Sequence, residues 1–252
     1  MRKIVGLLVG LIVLGAGGTA LAGQGATNTN GDFIDLSVKV TPPKSGTAKH
    51  PRGVAVSFDS FTGNRIRADD ETASTSTQVL FDNNFKENGL KFPACTINPK
   101  GVSTCAPSTQ IGSGTAEAQL LKAIGAPTFI PATLAVYNGN PVSGKTPTMI
   151  FVASIGGKPI GELDFTVGPQ GGGLAFNEIV TPGAAQSPYF ITKFSINIPD
   201  RHVRVKIHGK KRTIHLIDAP TSCHGAWTFS QTDTYASQPP LTATDSEPCV
   251  KR

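Results

Sequence analysis

Six basic residues, Arg201, Arg204, Lys206, Lys210, Lys211 and Arg212, fall within one stretch that contains no acid. Clustered ammonium and guanidinium groups attract polyanions: a wall-polymer phosphate, an acidic polysaccharide, lipid headgroups or nucleic acid. No aromatic side chains interleave with them as a stacking platform for bases would require, so nucleic acid is not expected. Arg204, Lys206, Lys210, Lys211 and Arg212 are the candidate ligand-binding residues, with an anionic wall polymer or polysaccharide as the candidate partner. The competing account is structural: positive charges on a solvated hairpin keep an edge strand from pairing with another chain.

Alternation of type places these residues on a β-hairpin. A two-residue turn at Gly209-Lys210, with Gly first as a type II′ turn prefers, would pair His208 with Lys211, Lys206 with Thr213 and Arg204 with His215. Val203, Val205, Ile207, Ile214 and Leu216 then share one face, and His202, Arg204, Lys206, His208, Lys211, Thr213 and His215 the other. His202 and His208 are about 20 Å apart along such a strand, too far to share one ion, and His208 and His215 sit several pairs apart. No metal site is expected there, and no cofactor.

Other reactive groups are placed less productively. Gly161-Glu162-Leu163-Asp164-Phe165 resembles the E-x-D core of a jelly-roll family of retaining glycosidases, in which one strand face presents a nucleophile, a helper aspartate and, two or three residues on, the acid/base. Those last positions are Thr166 and Val167 here, and without a proton donor a double displacement cannot run. Glu162 and Asp164 are expected instead on the solvent face of an amphipathic strand. Asp69-Asp70-Glu71, near Asp59, lacks the spaced ligand pattern of a calcium loop. Ile111-Gly112-Ser113-Gly114-Thr115 fits neither G-x-S-x-G nor the Lys-bearing phosphate loop, and lies between strands. No catalytic residue is assigned.

The four cysteines, Cys95, Cys105, Cys223 and Cys249, point to disulfides, because their number is even and the chain reads as exported. Three pairings are possible; Cys95–Cys105 and Cys223–Cys249 are the economical ones. A zinc site is disfavoured because no C-x-x-C pair exists and only His224 adjoins a cysteine. Export is read from Arg2 and Lys3, the apolar run Ile4 to Leu14 and the small-residue close Ala20-Leu21-Ala22, the order of a signal peptide over residues 1–22. No stop-transfer cluster follows, so the mature chain is expected to carry no membrane span and to lie outside the cell or at its surface. Of the formal charge of +6, the basic segment accounts for the excess. The rest of the mature chain carries two more acids than bases, so the high isoelectric point is local.

These groups must be positioned by strands. From Phe33–Val40 to Leu241–Thr244, segments of strand character alternate with turns rich in the chain's 28 Gly and 19 Pro, and no helical period lasts three turns. Leu36, Val38 and Val40 alternate with Ser37 and Lys39, as Phe194, Ile196 and Ile198 do with Ser195 and Asn197. Met149 to Ala153 is apolar throughout and reads as a central strand buried on both faces. Only Gln119–Ile124 has helical character. The fold class expected is all-β, an antiparallel β-sandwich or jelly roll of roughly a dozen short strands with little or no helix beyond the signal peptide, as one domain over 32–252 after a polar linker at 23–31. Trp227, Phe229 and Tyr235 are expected in the core.

Phe92-Pro93-Ala94-Cys95, Cys105-Ala106-Pro107 running into Ile111-Gly112-Ser113-Gly114-Thr115-Ala116, Tyr137-Asn138-Gly139, and Cys223-His224-Gly225-Ala226-Trp227-Thr228-Phe229 through Tyr235 to Pro248-Cys249 together resemble a family of exported actinobacterial proteins without an assigned activity. The resemblance spans most of the mature chain and implies two local disulfides on an all-β body. Ser237-Gln238-Pro239-Pro240 replaces the family's glycine-bearing turn. The reading is an exported non-catalytic protein of the cell envelope or medium, structural or adhesive. The alternatives are a carbohydrate- or polyanion-binding module using residues 201–215, and an unrecognised or degenerate hydrolase.

Overall fold

The computed structural model describes residues 25–64, 74–81, 84–98, 101–120, 129–179, 189–207 and 209–251. The signal-peptide segment, the Asp69-Asp70-Glu71 turn and most of Gln119–Ile124 lie outside them; Gln119 and Leu120 end a strand.

The body is all-β and antiparallel. Its strands are β1 (Ala26–Thr27), β2 (Asp32–Thr41), β3 (Ala55–Asn64), β4 (Ser76–Phe81), β5 (Lys86–Glu87), β6 (Gln110–Leu120), β7 (Phe129–Val142), β8 (Thr146–Ile155), β9 (Lys158–Gln170), β10 (Gly173–Glu178), β11 (Tyr189–Ile198), β12 (His202–Ile207), β13 (Lys210–His215), β14 (Ile217–Asp218), β15 (Ala226–Thr234) and β16 (Leu241–Pro248). Twelve of them form a single continuous ladder, ordered β1-β2-β3-β11-β6-β7-β8-β9-β10-β4-β15-β16. Consecutive hairpins β6 to β10 fill its centre, and β11 returns to pair between β3 and β6.

The two margins of this ladder nearly meet. The Asp245 carboxylate on β16 accepts the backbone N–H of Val38 on β2 at 2.6 Å. Below that contact, Ser45 N–H donates to Val250 O and Val250 N–H donates to Pro43 O. An antiparallel sheet rolled this far turns one face inward and removes most of its exposed edge. β1 shows that part of the expected linker joins the sheet: Ala26 and Thr27 pair with Ile34 and Phe33.

Period-two patterning decides which face is inside. Ile34, Leu36, Val38 and Val40 of β2 join Val56 and Phe58 of β3 in one core, together with Ile196 and Ile198 of β11. β8 is buried on both faces as its composition requires: Met149, Phe151 and Ala153 enter the main core, while Ile150 and Val152 face a smaller cluster with Cys95. Trp227 and Phe229 are fully buried, edge-on to Phe85 and Phe81 at 5.2 and 5.0 Å.

Both disulfides form as Cys95–Cys105 and Cys223–Cys249, and both lie at the end of the body where β2 and β11 finish. Asn138 secures the first cysteine loop. Buried on β7, its side-chain N–H groups donate to the carbonyls of Gly89 and Pro93, each at 3.0 Å, while its backbone O accepts from Cys95 N–H. Gly112 and Gly114 of the Ile111–Thr115 stretch are explained by packing: a Cβ at Gly114 would lie 1.9 Å from Ser195 O on β11. Glycine there permits close strand approach, not phosphate binding.

Candidate functional site

The basic segment forms its own two-stranded ribbon, β12 with β13, hydrogen-bonded to no strand of the main sheet. The polar and apolar faces are as expected, but the pairing is not. His202 faces His215, Arg204 faces Thr213, Lys206 faces Lys211 and Ile207 faces Lys210, so Lys210 belongs to the strand and not to the turn; His208 lies outside the described residues. Gly209, at φ +76°, takes the left-handed position that a side chain would oppose. A slide of two residues preserves every residue's face, which is why the hydrophobic pattern could not detect it.

Its root is firm. Leu216 and Ile217, directly after β13, are buried in the main core. Leu216 N–H donates to Arg201 O, Asn88 N–H donates to Leu216 O, and the Asn88 side chain donates to His215 O and to the Asp218 carboxylate, each of these last two at 2.9 Å. Burial raises the Asp218 carboxyl above its ordinary range, and the Asn88 hydrogen bond opposes the shift.

Beyond that root the cations are free. Arg204, Lys206, Lys210, Lys211 and Arg212 are all exposed, and among the described residues none forms an ion pair with a carboxylate. Arg204, Lys206 and Lys211 share the polar face with Thr213, while Lys210 and Arg212 alternate onto the other face near the tip. All five predicted residues are therefore on one ribbon, although not on one face. The slide also creates a contact that sequence reasoning missed: the His202 and His215 rings lie 5.8 Å apart, and His215 Nδ1 is 2.8 Å from Asp200 Oδ1. Among the described residues no three His, Cys, Asp or Glu side chains are grouped to hold a metal ion.

Glu162 and Asp164 do not sit on a solvent face. They pair with Val152 and Ile150, and the Cys95–Cys105 segment folds over that side of the sheet. Ser103 donates to the Glu162 carboxylate from both its backbone N–H and its hydroxyl, the latter at 2.7 Å. Asp164 is buried, and its carboxyl is pushed up to about 7 by burial first, then by the charge of Glu162 and a hydrogen bond with it. The disulfide explains the error: it folds a polar loop back across two acids that strand patterning assigns to water. The next residue on that face, Thr166, donates its hydroxyl to Asn177 O. The arrangement ties the cysteine loop to β9.

Two disulfides are compatible with an extracellular protein, and among the described residues no helix is long and apolar enough to cross a membrane. No protein-family model, no curated protein and no solved structure matches this chain.

Proposed function

We propose that this is an exported, non-catalytic adhesive protein of the cell envelope that grips an anionic wall polymer or polysaccharide through the β12–β13 ribbon. The observation that carries the reading is a separate two-stranded ribbon whose five exposed cations have no acidic partner among the described residues. The charge is left facing solvent, where binding to a polyanion gains by releasing that polymer's counterions. The root at Leu216 and Ile217, buried in the main core, ties the ribbon to the body.

The test is binding of the oxidised mature protein to wall fractions of the producing cell across a salt series, beside a variant with Arg204, Lys206, Lys210, Lys211 and Arg212 changed to Gln. Wild-type affinity should fall on the order of a hundredfold between about 50 and 200 mM salt if all five cations meet anionic groups. The variant should show neither the affinity nor the salt slope. Equal binding by the two proteins would remove the ribbon from the account.

A further inference from the structure

The ribbon's polar face does not end at its lysines and arginines. Its cross-strand pairs, taken from tip to root, are Lys206 with Lys211, Arg204 with Thr213 and His202 with His215. Successive pairs on one face of a ribbon stand about 7 Å apart, so the two imidazoles continue the line of fixed cations toward the body. Imidazole is the one side chain that ordinarily changes charge between pH 5 and 8. Protonation of both rings raises the positive charges on this face from three, on Arg204, Lys206 and Lys211, to five.

The surroundings of the pair couple its charge to a ligand. The ring centroids are 5.8 Å apart, close enough for two imidazolium ions to repel each other. Asp200 Oδ1, 2.8 Å from His215 Nδ1, faces that ring from the segment ahead of β12. Asp218 of β14 is within electrostatic reach of His215, as it is of Lys86 on β5. Arg201 and Arg204 flank His202 along the chain. Arg52 precedes Gly53, where a Cβ would collide with both His215 and Asp200; the bare backbone there lets the two side chains meet, while His202 stays exposed. With no polymer bound, the second proton is resisted by the first and by the nearby guanidinium groups. A polyanion laid along the face offsets that resistance, so its binding and protonation of the pair assist each other.

We propose that His202 and His215 belong to the polyanion-binding face and gate it by pH, so that the ribbon holds an anionic polymer more tightly in mildly acidic surroundings than at pH 8. The inference rests on the adhesive reading above and gives that same site its regulation.

The experiment measures binding of the oxidised mature protein to immobilised dextran sulfate at pH 5.5 and at pH 8, each over a salt series. Sulfate esters keep their charge at both pH values, so a change belongs to the protein. At pH 5.5 two added contacts should tighten binding about tenfold at ~0.15 M salt and steepen the plot of log affinity against log salt by about 1.4. The double variant His202→Gln, His215→Gln should bind as wild type does at pH 8 and show neither the gain nor the steeper slope at pH 5.5; Gln at 215 keeps a donor for Asp200. Its melting curve reports that it folds. His202→Gln alone, at an exposed position, should remove about half of the logarithmic gain and carries the test by itself should the double variant not melt cooperatively. Wild-type binding with one affinity and one slope at both pH values overturns the inference and leaves the adhesive reading standing, as does a folded double variant that keeps the whole gain. Absence of wild-type binding at both pH values overturns both.

Discussion

Val38 and Asp245 stand on strands from opposite ends of the chain, and the N–H of the first donates to the carboxylate of the second at 2.6 Å. Asp245 Oδ1 also accepts Ser246 N–H at 2.8 Å, so one side chain bridges two backbone donors where β2 and β16 do not form a ladder. Asp245→Ala leaves the Val38 donor buried and unsatisfied. A loss of about 1–3 kcal/mol in chemical denaturation is expected. Asp245→Asn should recover part of it, since an amide oxygen can still accept one bond. A neutral effect of the alanine change would show that the Asp245 carboxylate does not help to hold the seam.

Asn138 provides the second stability test. Asn138→Leu keeps the volume and removes the donors to Gly89 O and Pro93 O. The change should cost about 2–3 kcal/mol, and proteolysis within residues 89–105 should accelerate, because those carbonyls tie the cysteine loop to β7. Retained protease resistance would assign that loop's order to the disulfide instead.

The disulfides themselves close segments of sequence separation 10 and 26. In the chain-entropy model each stabilises by about 3 kcal/mol. Paired Cys→Ser replacements should lower stability by amounts of that order, the longer loop slightly more, as measured by urea unfolding of each double variant. Removal of Cys95–Cys105 should additionally expose Asp164 and bring its titration down from about 7 toward the ordinary carboxylate range.

The pH dependence follows from three acids that desolvation raises. Asp164 is raised to about 7 by burial, then by Glu162. Glu87 is raised to about 7 by burial against an opposing hydrogen bond from Gly89 N–H, and Asp233 to about 6 by burial against bonds from Gln231 and Thr77. A carboxyl whose folded value lies above its unfolded one contributes full stability below the unfolded value, near pH 4, and loses that contribution as pH rises through the folded value. These groups should therefore make the protein more stable at pH 5 than at pH 8. Asp164→Asn should reduce the difference between melting temperatures at the two pH values. An undiminished difference would locate the pH response elsewhere.

The ribbon charges should matter for binding and not for folding. Neutralising Arg204, Lys206, Lys210, Lys211 and Arg212, all exposed, should change unfolding free energy by about 0.5 kcal/mol or less per site. A large loss would identify the charges as structural.

Much of the architecture is legible in residue order because a strand's two faces repeat every second residue. Leu36, Val38 and Val40 identify the buried side of β2, and the unbroken run Met149 to Ala153 identifies a strand covered twice. The core location of Trp227 and Phe229 and the all-β class follow from the same local chemistry. So does the existence of the basic hairpin, since alternation and a glycine turn are local signals.

What remained for the tertiary structure were relations between segments distant in sequence, or choices that leave the pattern unchanged. The two-residue slide that sets His202 opposite His215 keeps each side chain on its face, so periodicity is blind to it. Burial of Asp164 comes from a loop some sixty residues earlier, folded back by its disulfide. The near-closure at Val38 and Asp245 joins strands 207 residues apart. Residue order determined which surfaces are apolar, cationic or cross-linked. Three-dimensional packing decided which of them meet, because contact depends on how far the sheet twists and rolls, a sum over all its strands that no local pattern records.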